Sequence, residues 1–169
     1  MKIDSKKIQE FSQKQLDLIY ADPGYKELLA QLCGIDPNFA LVNESVFGME
    51  FVAMRLAVGC RAWERACDEN LLKEEIYRKM FLRTVMESFK TPKVLNIATA
   101  FGDYLFTLDA EETGPIIPIV QQMFKRLKID ETLGDGKATQ INHAFEVLVL
   151  VCEGHRTYFE SQFMEFLPF

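Results

Sequence analysis

Between Asn43 and Asn70 the apolar residues fall into two stripes when the chain is wound at about 100° per residue. Phe47, Phe51, Met54, Val58 and Ala62 make one; Met49, Val52, Ala53, Leu56, Cys60, Trp63 and Cys67 make the other, on roughly the opposite side. From Val46 to Cys60 the charges are Glu50 and Arg55 alone. A helix that is apolar on two sides lies between other helices rather than on a surface. The pattern therefore predicts a central helix over 44–69. Between its stripes runs a row of small residues, Gly48, Gly59 and Ala66, with Arg55 among them. Such a row admits close approach to the backbone beside a single cation.

Start and stop signals divide the rest of the chain. Asp4 or Ser5 can cap a first helix reaching about Tyr20, with Ile8, Phe11, Leu18 and Ile19 inward. Asp22-Pro23 opens a second helix that Gly34 stops, and Asp36-Pro37 repeats the device for a short turn, of 3₁₀ type, through Leu41. Asn43 caps the central helix. A plain amphipathic helix is expected from Leu71 to Lys90, and Thr91-Pro92 caps the next, to about Leu108. Pro115 and Pro118 both fit a first turn, where the missing N–H costs nothing, so a helix follows them to about Ile129. After a Gly-rich loop from Asp130 to Gly136, the last helix runs from about Lys137 to Leu167, stopped by Pro168. No segment alternates with a period of two for more than a few residues, so no sheet is expected. The expectation is an all-α chain, one domain over residues 1–169 with six to seven helices, packed in a globin-like or bundle manner around the two long ones.

Composition narrows the class. With 169 residues the chain can bury a sizeable core, and 49% hydrophobic and 26% charged residues describe a globular protein rather than a disordered one. Fourteen Phe imply a core built on aromatic rings. A net charge of −6 opposes broad nucleic-acid binding, which draws on a basic surface. Lys125, Arg126 and Lys128 read as cations at a helix C-terminus. The N-terminus has no apolar core of a signal peptide, and no apolar run is long enough for a membrane span. Four cysteines at 33, 60, 67 and 152 contain no C-x-x-C pair and sit among apolar residues, which favours a reducing, cytoplasmic setting.

Catalytic and metal motifs are weak. The scattered cysteines begin no zinc site, and the Asp109, Glu111, Glu112 cluster lacks the spacing of a calcium loop. Gly134-Asp135-Gly136-Lys137 lacks the remaining glycine spacing and the Ser/Thr of a phosphate loop. His155 is too near the end of the chain for a globin's proximal ligand, and no histidine precedes His143. No cofactor, metal or enzymatic activity is expected.

Two residues carry the functional expectation. His143 shares the polar side of the last helix with Glu146 and Glu153, but His155 falls in the apolar stripe of Ile141, Phe145, Leu148, Cys152, Phe159, Phe163 and Phe166. It is either a core-edge histidine bonded to a backbone carbonyl or a polar contact within a ligand pocket. A buried Arg55 must meet an acid, carbonyls, water or an anionic ligand. Asp103 is one acid that could pair with it. In the ligand reading, Arg55 holds the head group of a small apolar or amphipathic, fatty-acid-like molecule, whose tail runs between Phe47, Phe51 and the last helix near Cys152 and His155. The chain is then a non-catalytic regulatory or sensory domain. The alternative is an interaction module, a homodimer or a groove for a partner's helix, motivated by the aromatic FESQFMEFLPF tail.

Overall fold

The computed structural model describes residues 4–70, 74–91, 95–109, 116–129 and 135–167. Among these it is all helical: α1 (Ser5–Ala21), α2 (Gly24–Ile35), a 3₁₀ turn (Pro37–Leu41), α3 (Glu44–Glu69), α4 (Glu75–Arg78), α5 (Met80–Ser88), α6 (Leu95–Asp109), α7 (Ile117–Arg126) and α8 (Asp135–Phe166). The local signals act as their chemistry dictates. Asp4 accepts from the Lys6 N–H, Asp36 from that of Asn38, and Asn43 from those of Ser45 and Val46, each satisfying donors that the first helical turn leaves open. Pro92, Pro115 and Pro168, like most of the loop before α8, lie outside the described residues.

α3 is the axis. It touches α1, α2, α4, α5, α6 and α8, while α7 packs on α6 and α8. Both of its stripes are buried apart from a half-exposed Met49, as a doubly apolar helix requires. α8, the other long helix, is different: Leu148, Cys152, Phe159 and Phe163 face inward, but Leu150 and Tyr158 are exposed. It lies on the surface with one face buried.

Two expectations change. Of the helix expected over 71–90, the described part forms two pieces, with Lys79 between them outside helical geometry. The Trp63 indole N–H donates to the Tyr77 carbonyl at 2.8 Å, drawing into the core an acceptor that a continuous helix would offer to the Phe81 N–H. α5 then sets Phe81 and Val85 inward, while Ile76 of α4 is left 48% exposed. The inward face of α1 is also rotated from the expected one: Ser12, Gln15 and Leu16 are buried with Ile8 and Ile19, and Leu18 faces out.

α7 ends in a Schellman arrangement. The Ile129 N–H reaches the Phe124 carbonyl, the Lys128 N–H reaches that of Lys125, and Lys128 itself takes the left-handed conformation at φ 55°. Arg126, in the last turn, does more than complement the helix dipole. It donates to Glu50 at 2.8 Å and pairs with Asp103, while the buried Tyr104 hydroxyl donates to the same Glu50 oxygen at 2.7 Å. The one acid of α3's apolar run is thereby hydrogen-bonded on its buried side, which such a group requires.

Candidate functional site

Arg55 is 7% exposed and donates from Nη1 to Asp22 Oδ2 at 2.6 Å. The expected candidate, Asp103, is bound to Arg126 on another side of α3. Asp22 stands at the corner between α1 and α2, where its Oδ1 accepts from the Gly24 N–H at 2.8 Å. The guanidinium carbon also lies 5.6 Å from the centre of the Phe51 ring, which faces its charge as a π partner. Burial lowers the pKa of Arg55 and the Asp22 charge opposes that change.

His155 meets the same ring from α8, edge to face, with centroids 5.5 Å apart. Its Nε2 is buried, and instead of the expected bond to a backbone carbonyl it has no partner among the described residues. Burial first, and then the Arg55 charge, push its pKa down to about 4, so the ring is neutral at neutral pH.

Arg55 and His155 open onto a cleft of about 480 Å³ between α1 and α8. Gln15, Leu18, Ile19, Ala21 and Asp22 form one wall; Tyr158 and Phe159 stand beside His155 on the other. Gln15 is 3% exposed, and its Oε1 has no partner among the described residues; Arg55 Nε is in the same condition. Three residues that line one cleft, from α1, α3 and α8, therefore each hold a buried polar atom without a partner among the described residues. Leaving such an atom unpaired costs about 1–3 kcal/mol, and native proteins hold few of them.

The other expected site residues fall elsewhere. Phe51 is buried and meets both Arg55 and His155, but it is not among the residues that line the cleft. Phe47 is fully buried and stacks on Phe51 at 6.4 Å, and Cys152 is fully buried with its thiol 3.5 Å from Met54 Sδ. Neither lines the cleft, so a tail cannot take the course expected between them. Nor does the small-residue row make room for a ligand. The Tyr25 ring covers Gly48, and Phe81 and Phe159 cover Gly59.

Sequence reasoning passed over Gln15, Asp22, Tyr158 and Phe159 as site residues. Gln15 is a polar residue one helical turn before Leu18 and Ile19, Phe159 follows His155 by one turn in the same stripe, and Asp22 was legible only as a helix start; nothing local marked Tyr158.

A second cleft, near 190 Å³, is ringed by Arg61, Arg65, Arg78 and Arg156. Each of these meets a carboxylate: Glu64, Glu160, Asp68 and Glu153 respectively. Its cations are therefore matched within the protein, and it shows no preference for an anion.

Among the described residues the rings of the aromatic tail pack against the rest of the molecule. Phe166 stacks on Phe11 at 3.9 Å, and Phe163 meets Trp63 edge to face at 5.2 Å. The most exposed large apolar side chains, Leu41, Phe106 and Leu150, sit on three separate elements. Among the described residues no three His, Cys, Asp or Glu side chains converge as metal ligands would, and no helix is long and apolar enough to cross a membrane. No protein family, curated protein or solved structure matches the chain.

Proposed function

We propose that this chain is a non-catalytic regulatory domain that binds a small amphipathic molecule in the cleft between α1 and α8. The observation that carries the reading is a cleft lined by Gln15, Arg55 and His155, each of which also holds a buried polar atom with no partner among the described residues. A ligand's polar end would lie against these three side chains, and Leu18, Ile19 and Phe159 offer an apolar wall for the remainder. The cleft falls within the range of small-molecule sites, about 300–1,000 Å³. A histidine held neutral with a pKa of about 4 is a poor general base at neutral pH, which favours binding over catalysis.

Occupancy would be felt by the fold. Arg55 joins the α1–α2 corner to α3 through Asp22, so a molecule that bonds Arg55 and Gln15 adds to the docking of α1. That coupling is what a regulatory domain needs, since a ligand shifts an equilibrium only by its differential affinity for two states.

Native mass spectrometry of protein purified from cells tests the reading. A small adduct present on the wild-type chain and absent from Gln15→Leu is the expected result. A bare mass, together with no response of cleft resonances to any amphipathic probe, would remove it. The interaction-module alternative drew on the aromatic tail, of which Phe163 and Phe166 pack against Trp63 and Phe11, so these two rings offer a partner less surface than expected.

A further inference from the structure

α1 is fastened near its two ends, but its middle is poorly matched. Near its start, the Phe11 ring stacks on Phe166 at 3.9 Å and meets Phe163 at 5.9 Å. Near its end, the Tyr20 hydroxyl donates to Ser88 Oγ at 2.9 Å, the Ser88 proton going to the Val85 carbonyl, and Asp22 holds Arg55 at 2.6 Å. Of the five residues that α1 buries, two are polar, Ser12 and Gln15. Ser12 Oγ and Gln15 Oε1 are out of reach of solvent and have no partner among the described residues.

Such an inner face docks weakly. Ile8, Leu16 and Ile19 favour docking in proportion to the apolar area they remove from water. A hydroxyl and an amide oxygen without partners oppose it, because they give up bonds to water that they regain on leaving. α1 packs on α3 and α5, and from Gln15 to Asp22 it borders the cleft of about 480 Å³ that separates it from α8. By contrast, Glu50, the buried acid of α3, is bonded to both Tyr104 and Arg126.

We propose that α1 is a releasable helix: Ser5–Ala21 undocks as one unit while α3, α6, α7 and α8 stay folded. Gln15, Leu18, Ile19 and Ala21 belong to α1, so its release takes away one wall of the cleft. The polar links broken are those of Tyr20 to Ser88 and Asp22 to Arg55, and both join α1's last turn or corner to other helices. Elements that open below the global stability of a fold are the ones that can switch. The step from release to a ligand response rests on the cleft reading above. A molecule seated in the cleft binds the docked state alone, and so favours it. The release itself needs no ligand and is measured on the bare chain.

The experiment is native-state hydrogen exchange of the full chain, read by NMR at stepped urea concentrations below the unfolding transition. The amides of Leu16 and Ile19 should be at least about tenfold less protected than those of Leu56 and Val58, with a shallower urea dependence, as a sub-global opening requires. Val120→Ala puts a lesion in α7, which packs on α6 and α8. It should lower protection in α3 by about tenfold or more and leave that of α1 unchanged, because α7 is folded both before and after α1 opens. Ser12→Ala removes an unpaired hydroxyl and should raise the protection of α1 about tenfold. Equal protection and equal urea slopes in α1 and α3 of the wild-type chain would overturn the proposal, as would a Val120→Ala variant that lowers both together. The wild-type slopes decide the matter should that variant fail to fold. A fall in protection on Ser12→Ala would remove the unpaired inner face on which the proposal stands. None of these outcomes depends on whether a small molecule occupies the cleft, which mass spectrometry tests by itself.

Discussion

Asp22 Oδ2 and Arg55 Nη1 stand 2.6 Å apart, and through them the corner between two surface helices is fixed to the middle of the central one. The pair is asymmetric. The Asp22 side chain is 36% exposed and that of Arg55 is 8% exposed, so only one partner is stranded when the other is removed. Asp22→Asn keeps an acceptor for the Gly24 N–H but leaves a buried guanidinium without its charge partner. It should cost about 2–3 kcal/mol, below the range for a fully buried pair. Arg55→Met keeps much of the stem and lets Asp22 turn to water, so it should cost less. Urea denaturation of both variants checks the order; a larger loss for Arg55→Met would mean that the pair is not what organises this corner.

His155 gives stability a pH dependence with a definite sign. Its pKa, about 4 in the folded chain, lies below the ordinary 6.5, because burial and the neighbouring Arg55 charge disfavour the imidazolium and Asp22 only partly offsets them. Between those values the unfolded chain binds the extra proton and the folded chain does not. Stability is therefore full above about pH 6.5 and is lost as pH falls toward 4, by about 2–3 kcal/mol from this group. His155→Gln should flatten that part of the curve. Parallel wild-type and variant curves over this window, from chemical denaturation at stepped pH, would show that the imidazole titrates normally.

Two helical glycines separate packing from propensity. Exchanging Gly for Ala within a helix gains about 1 kcal/mol where there is space. At Gly154 an added Cβ meets nothing within 4 Å, so Gly154→Ala should stabilise by about 0.5–1 kcal/mol. At Gly59 the same atom would lie 3.1 Å from the ring of Phe81, which is fully buried and cannot withdraw. Overpacking there costs about 1–3 kcal/mol, so Gly59→Ala should be the less stable of the two by at least about 1 kcal/mol. Equal urea midpoints would mean that Phe81 is not seated on α3.

Leu56 and Leu148 are both fully buried, one on each long helix. Truncation of either to Ala should cost about 2–5 kcal/mol through lost transfer energy and the cavity left behind. Thermal and urea unfolding of the two variants measures it. Losses under about half a kcal/mol at both would place the core elsewhere.

The start signals at Asp4, Asp36 and Asn43 and the double stripe of α3 were legible in the residues alone, because caps and helical periodicity act within a few positions of the chain. The same locality explains why Arg55 and His155 could be singled out: each is a polar residue in an otherwise apolar row. It also explains what stayed hidden. Asp22 rather than Asp103 meets Arg55, Arg126 turns inward to Glu50, Gln15 is buried while Leu18 is not, and Trp63 interrupts the helix expected over 71–90. These outcomes depend on how far each helix is rotated about its own axis and where it crosses its neighbour. Periodicity shows that a helix has an apolar side, but contacts between elements fix the rotation to within the one residue that decides whether a side chain faces the core, the solvent or the cleft.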